Sequence, residues 1–237
     1  MERIEALVIS SHSVVPDGKR LAETLDDAGW PALPTGAPAT GTAGCRWVSD
    51  DGVHVLLVRE DPAGLIEPVL ASPRLGDGAI LGQGRGVWRV SVDLAGADPL
   101  SADLQFLQIL RAVSKPLGAI ACRLEGRRTW HGADDLVRLV GDRPEPEWPG
   151  ELLVDLRPGP LGPESLAVLS EGLVRYGLVE VMVVGDRHSL ADAWQMAVEL
   201  IDDRLLGAEP SFDLQRGPHP SEPLAMVDVA FVDGAGT

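Results

Sequence analysis

The feature that most constrains this chain is a pattern that is read twice. Trp88, Val90, Val92 and Leu94 alternate with Arg89, Ser91 and Asp93, the period of a strand with one buried face. Past Pro99-Leu100, Leu104, Leu107, Leu110 and Val113, widened by Phe106 and Ile109, predict a helix over 103–115 that Pro116 stops. An apolar run at Ala119–Leu124 and a helix after His131 complete a strand, helix, strand, helix unit over residues 88–140. The order recurs over 151–206. Leu152, Val154 and Leu156 alternate, then Leu166, Leu169, Leu173 and Tyr176 step along a helix over 164–176 that Gly177 ends. Val179–Val184 reads as a strand. Ser189 and Asp192 start a last helix that turns Leu190, Trp194, Val198, Ile201 and Leu205 inward.

The expectation is an α+β fold with a mixed, mainly antiparallel sheet and helices packed largely on one face, built on an internal β-α-β-α duplication. The alternating strands leave the other sheet face partly polar. The chain reads as one domain, 1–237, with pseudo-repeat halves at 88–140 and 151–206. Residues 207–237 add a proline-rich segment and a final strand over 224–232. The charged, proline-bearing stretch from Gly141 to Gly150 is the one candidate boundary.

The N-terminal part carries the same kinds of signal. Ile4–Ile9 is strand-like, and Leu21, Leu25 and Ala28 share a helix face ahead of Gly29. Asp50-Asp51-Gly52 predicts a tight turn between strands at 45–49 and 53–59. Residues 31–44 and 61–86 have loop composition, with a short helix near 65–70. Gly82-Gln83-Gly84-Arg85-Gly86 invites a phosphate-loop reading, but a strand rather than a helix N-terminus follows it, so it reads as a connector.

Charge excludes one class of partner. Lys+Arg 20 against Asp+Glu 36 gives a formal net charge of -16, which repels phosphate backbones, so nucleic acid is not expected. The acidic start, Met1-Glu2-Arg3-Ile4-Glu5, is unlike a signal peptide, and no apolar run reaches the about 18 residues of a membrane span. Cys45 and Cys122 read as small buried residues in a reducing compartment. A cytoplasmic location is the expectation, with no cofactor and no membrane contact.

Few residues carry a chemical signature. Asp93 and Asp155 hold equivalent places in the two copies and are suited to binding a cation or sharing a proton; alternatively, each accepts loop N–H groups as Asp does in turns. His131, in Thr129-Trp130-His131-Gly132, reads as a loop residue with Asp134 or Asp135 as a carboxylate partner for acid–base work. Asp134 equally suits the first turn of the next helix. The five histidines show no metal-ligand spacing, and no Gly-x-Ser-x-Gly elbow marks a hydrolase. Of the six tryptophans, Trp47, Trp88 and Trp194 fit core positions. Trp30, Trp130 and Trp148 fall in loops, where an exposed indole marks an interaction surface and a half-buried one marks the fold.

The whole ordering, with Leu153-Val154-Asp155-Leu156 and the phrase from Gly172 to Val181 (Gly-Leu-x-x-aromatic-Gly-Leu-x-Glu-Val), resembles the uncharacterised bacterial family known as domain of unknown function 4261. The resemblance covers most of residues 1–206. The family's closing Asp-Gly-x-Thr phrase is matched off by one residue in Asp233-Gly234-Ala235-Gly236-Thr237. It implies an architecture and no activity. The functional expectation is therefore a non-enzymatic protein-interaction or accessory module, with a protein partner or a second copy of the chain as its contact. Such a module should expose a contiguous apolar patch. The alternative is a small-molecule-binding protein or enzyme using the cleft between the repeat halves, which requires a pocket gathering at least two of His131, Asp93 and Asp155.

Overall fold

Alternation along the strands divides the chain into faces, and the faces decide what packs where. The computed structural model describes residues 2–13, 18–29, 32–34, 44–49, 54–60, 70–71, 75, 82–94, 98–140, 150–186, 190–207 and 228–232. It forms two compact units, Met1–Glu147 and Trp148–Thr237, which divide within the segment that the sequence marks as a boundary. The fold is α+β with mainly antiparallel sheets.

The first unit contains β1 (Glu2–Ser10), α1 (Gly18–Asp27), β2 (Ala32–Pro34), β3 (Gly44–Ser49), β4 (His54–Glu60), β5 (Leu70–Ala71), β6 (Gly86–Leu94), α2 (Pro99–Leu117), β7 (Ala119–Leu124), β8 (Thr129–Gly132) and α3 (Ala133–Leu139). Its strands make an eight-stranded sheet in the order β2-β3-β4-β6-β1-β7-β8-β5, antiparallel except for the β5–β8 pair. On one face, Ile4, Ala6 and Val8 of β1 lie beside Trp88, Val90 and Val92 of β6, all buried. The Ser10 hydroxyl, on that same face, donates to the Leu117 carbonyl, so α2 covers it. Phe106, Leu107, Ile109, Leu110 and Val113 point down from α2 and are fully buried, with Leu104 half-buried. Each such side chain contributes about 1.5–3 kcal/mol relative to exposure. Helices α1 and α3 flank α2.

A clasp closes one end of this layer. Ser10 and Ser11 donate their hydroxyls to the Leu117 and Gly118 carbonyls, and the Ser11 amide also reaches Gly118 O at 2.8 Å. These bonds satisfy carbonyls that the end of α2 leaves without helical partners. Pro116 does not stop α2 as its sequence predicts. It sits inside the last turn, and Gly118 (φ 61°, ψ 44°) makes the stop in the left-handed conformation that glycine adopts freely. The His12 ring lies against Gly118, where a Cβ would come within 2.3 Å of His12 Cδ2.

The Thr129–Gly132 stretch, expected as a loop, is a strand. Gly126 (φ 78°) turns the chain after β7, and β8 returns antiparallel with His131 opposite Cys122. A β-branched residue and an aromatic precede His131, the usual composition of a strand. Ala28, expected on the inner face of α1, is exposed, while Leu21 and Leu25 are buried.

The second unit contains α4 (Gly150–Leu153), β9 (Asp155–Pro160), β10 (Ser165–Glu171), a 3-10 turn (Leu173–Tyr176), β11 (Glu180–Asp186), α5 (Leu190–Leu205) and β12 (Asp228–Val232). Its sheet order is β12-β11-β10-β9, all antiparallel, so the final strand joins this sheet. Helix α5 packs on it through Ala193, Ala197, Val198, Ile201 and Leu205, while Leu190, expected inward, is 40% exposed. Gly150 N donates to Asp202 Oδ1 at 3.0 Å, tying α4 to α5.

Two sequence expectations fail here. Residues 152–156 are not one strand: a single helical turn ends at Leu153 and the strand begins at Asp155. Residues 164–176 are not a helix. Leu166, Val168 and Ser170 are buried and alternate with half-buried Ser165, Ala167 and Leu169, so period two prevails over the helical spacing of Leu166, Leu169 and Leu173. Neighbouring strands on both sides supply hydrogen bonds that an isolated helix would have to make internally. The second half is thus a hairpin followed by strand and helix, and the β-α-β-α duplication does not carry over into the structure.

Candidate functional site

The second face of the large sheet carries a connected cluster of ion pairs. It is made by the residues between the core positions: Arg3, Glu5, Leu7 and Ile9 of β1; Val87, Arg89, Ser91 and Asp93 of β6; Leu56, Val58 and Glu60 of β4; Ala121 and Arg123 of β7. At one end, Leu7, Ile9, Val87, Ala121 and Trp130 form a small core closed by Leu75 and Ile120. Elsewhere the face is polar. Helices α1, α2 and α3 belong to the opposite face.

Arg89 organises it. Its Nε donates to Glu60 Oε1 at 2.7 Å and its Nη1 to Glu5 Oε2 at 2.7 Å, with Glu125 Oε2 3.4 Å away. Ser91 Oγ donates to Glu5 Oε1 at 2.9 Å, and Arg3 Nε lies 2.6 Å from the same oxygen. The hydrogen bonds from Arg89 to Glu60 and then to Glu5 raise the guanidinium pKa further. For Glu5, burial pushes the pKa up, but the bonds from Arg89 and Ser91 and the nearby arginine charges outweigh it and hold the carboxyl below its usual range. The Glu5 side chain is 18% exposed, Arg89 29% and Glu60 32%. These ions are shielded enough to order one another and remain partly open to solvent. Arg123 stands over the Trp130 ring, 5.2 Å from its centroid, a cation–π contact that extends the charged face towards β8.

The sequence-derived candidates are dispersed. Asp93 is the last residue but one of β6 and lies on this face, half-buried, with Arg3 and His54 as its cross-strand neighbours. Asp155 opens β9 in the second unit and is 4% exposed. The equivalence between them rested on the duplication and goes with it: one aspartate lies near the end of its strand, the other begins one. His131 is 6% exposed on β8, on the face of Cys122. Trp130 is 1% exposed, so it is a core residue and offers no indole to a partner. Trp30 and Trp148 lie outside the described residues.

The expected apolar patch is not what the described residues present. Their exposed large hydrophobics, Val137, Leu161, Val174, Leu190 and Leu206, sit on α3, the β9–β10 turn, the 3-10 turn and the two ends of α5. A pocket of about 350 Å³ is lined by Leu75, Ala119, Ile120 and residues 132–135. None of His131, Asp93 and Asp155 lines it. Within it, Asp135 already accepts from Gly132 N at 3.1 Å and pairs with Arg138 at 3.4 Å. Cys122 has its thiol pushed up to about 12 by burial and by the charge of Asp135, the opposite of a reactive cysteine. Among the described residues no three His, Cys, Asp or Glu side chains are grouped to hold a metal ion, and no helix is long and apolar enough to cross a membrane.

The phrase from Gly172 to Val181 has a structural role. Glu180 accepts from Gly172 N at 2.7 Å, from Val174 N at 3.4 Å and from the Ser170 hydroxyl, while Ser170 Oγ in turn accepts from Val181 N at 2.7 Å. Its carboxylate caps the turn that joins β10 to β11. Comparison with models of known families, with curated proteins and with solved structures finds no match.

Sequence reasoning missed the Arg89 cluster. Its signal was present, because Arg3, Glu5, Arg89 and Ser91 are the polar members of two alternating strands. What was missing was the pairing of β1 with β6 across more than eighty residues.

Proposed function

We propose that this protein is a non-enzymatic interaction module and that the charged face of its first sheet is the surface that meets a protein partner. The observation that carries the reading is the arrangement around Arg89. A guanidinium held by carboxylates from β1 and β4, with Glu125 after β7 close by, is an ordered, partly exposed polar surface on a rigid sheet. Beside it Leu56 and Val58 are half-buried apolar side chains, and the contact proposed is mainly polar, without the contiguous apolar patch that the sequence reading asked of such a module. Ion pairs of this kind add little to stability but fix register and exclude wrong partners. The rival reading, a small-molecule site, gains no support from the pocket at residues 132–135, which gathers none of the residues it requires.

Carboxylate footprinting tests the proposal. Labelling of Glu60 and Glu125 should fall in a host-cell lysate relative to the purified, dilute protein, while Glu23 on α1, 64% exposed, should label equally in both. Equal labelling of all three in both samples would refute it.

A further inference from the structure

Another arginine on this face has surroundings unlike those of Arg89. Strand register places Val58, Arg89, Leu7 and Arg123 side by side across β4, β6, β1 and β7, and the ring of Trp130 on β8 continues the row. Arg89 and Arg123 are two strands apart, about 10 Å at the usual strand spacing. The carboxylates of Glu5 and Glu60 occupy the donors of Arg89. Arg123 has an aromatic ring in that place: its guanidinium carbon lies 5.2 Å from the Trp130 centroid, and among the described residues no carboxylate pairs with it.

Two donors of this pair, Arg123 Nε and Trp130 Nε1, are buried with no hydrogen-bond partner. Burial removes the water that would otherwise satisfy them, so an acceptor brought to this spot gains more than one met in open solvent. Arg123 as a whole is half-buried, so part of it still meets solvent. The ring engages the guanidinium through its face and holds its plane without using N–H groups. A planar fork with its donors unused matches a carboxylate, which accepts two parallel N–H bonds.

The local charge agrees. Residues 123–130 set Arg123, Arg127 and Arg128 against Glu125, three cations to one anion, in a chain of net -16. An anion approaching the chain at large is repelled, whereas at this turn it is attracted. At physiological salt the more distant acids are screened beyond about 8 Å. The same overall charge opposes a polyphosphate, which would lay many charges along the surface, and favours a short acidic segment of a protein.

Resting on the reading above, we infer that Arg123, held over Trp130, takes a carboxylate of the partner, so that the partner's contacting segment is acidic. The test titrates the full, isotope-labelled chain with triglutamate capped at both ends, read at the Arg123 Nε–H and Trp130 indole N–H resonances. Both should move, and neither should move with capped triglutamine. Arg123→Gln, its folding checked by circular dichroism, should weaken binding about tenfold, as loss of a charge-assisted pair does. Arg123→Lys keeps the charge without the fork and should also bind more weakly than wild type. Arg20→Gln, which removes an exposed arginine of α1, should bind as wild type does.

Resonances that triglutamate leaves in place overturn the inference, as does equal movement with triglutamine or an unchanged affinity in Arg123→Gln. Decathymidylate that moves both resonances at lower concentration than triglutamate assigns the site to nucleic acid and overturns it as well. If triglutamate fails while Glu60 and Glu125 are still protected in lysate, this inference falls and the interaction reading stands. If neither is seen, both fall.

Discussion

Replacing Gly118 tests the clasp at the end of α2, and its cost separates into two parts. The first is conformational: at φ 61° an alanine sits in the left-handed region, at about 1 kcal/mol. The second is steric. The new Cβ would fall 2.3 Å from His12 Cδ2, 2.6 Å from His12 Nε2 and 2.8 Å from Ser11 Oγ, all closer than real contacts allow. Ser11 and His12 are exposed and can swing aside, so relief of the clash should add about 1 kcal/mol, the low end of overpacking, and Gly118→Ala should lose roughly 2 kcal/mol in all. Gly126→Ala is the control. Its φ of 78° carries the same conformational cost, but nothing lies within 4 Å of its Cβ, so about 1 kcal/mol is expected. Gly118→Ala with His12→Ala removes the ring and should return to about the cost of that control. Hydrogen exchange at the amides of β1 and α2 reports on the first unit alone. Protection there should fall by about tenfold or less in Gly126→Ala and by roughly thirtyfold in Gly118→Ala. If Gly118→Ala costs no more than Gly126→Ala, the packing of His12 on the helix end is wrong.

Three further outcomes follow from the charges and the buried thiol. Glu5 is held below its usual pKa, so its contribution is complete above the ordinary carboxylate value of about 4.3 and is lost as pH falls through the folded value. Glu5→Gln should therefore cost about 1 kcal/mol near neutrality, discounted for partial exposure, and the gap from wild type in urea midpoint should narrow as pH falls below the ordinary carboxylate value. Glu180→Gln weakens the acceptor for Gly172 N and should cost about 1–2 kcal/mol, seen as faster amide exchange at Gly172 and Val174. Cys122, with its thiol pushed up to about 12, should resist iodoacetamide in the native protein at pH values near 8 and react once urea unfolds the chain, followed by peptide mass spectrometry. Rapid native alkylation at Cys122 would contradict its burial.

Elements with one unambiguous period were legible in the sequence. The alternation of β6 and the apolar stripe of α2 name their own faces, and Leu21 and Leu25 mark the inner side of α1. Residues 164–176 were not legible, because Leu166, Leu169 and Leu173 fit a helix while Leu166 and Val168 fit a strand. The deciding term was the pair of strands waiting on either side, which no local window contains. Pro116 misled for a related reason: a proline in the last turn sacrifices one hydrogen bond near an end where carbonyls are already without helical partners. The charged face was half legible. Polar alternation shows that β1 and β6 each have a wet side, but only the register, with Leu7 opposite Arg89 and Glu5 opposite Ser91, assembles the cluster.

Site-specific photo-crosslinking in host cells is the most direct measurement of the central claim. A photoreactive residue at Val58, half-buried beside Arg89 on the charged face, should give a discrete crosslinked protein, whether a second copy or another chain. The same probe at Val137, 60% exposed on α3, should not. Crosslinks from Val137 alone, or none from Val58, would contradict the assignment of the sheet face as the contact surface.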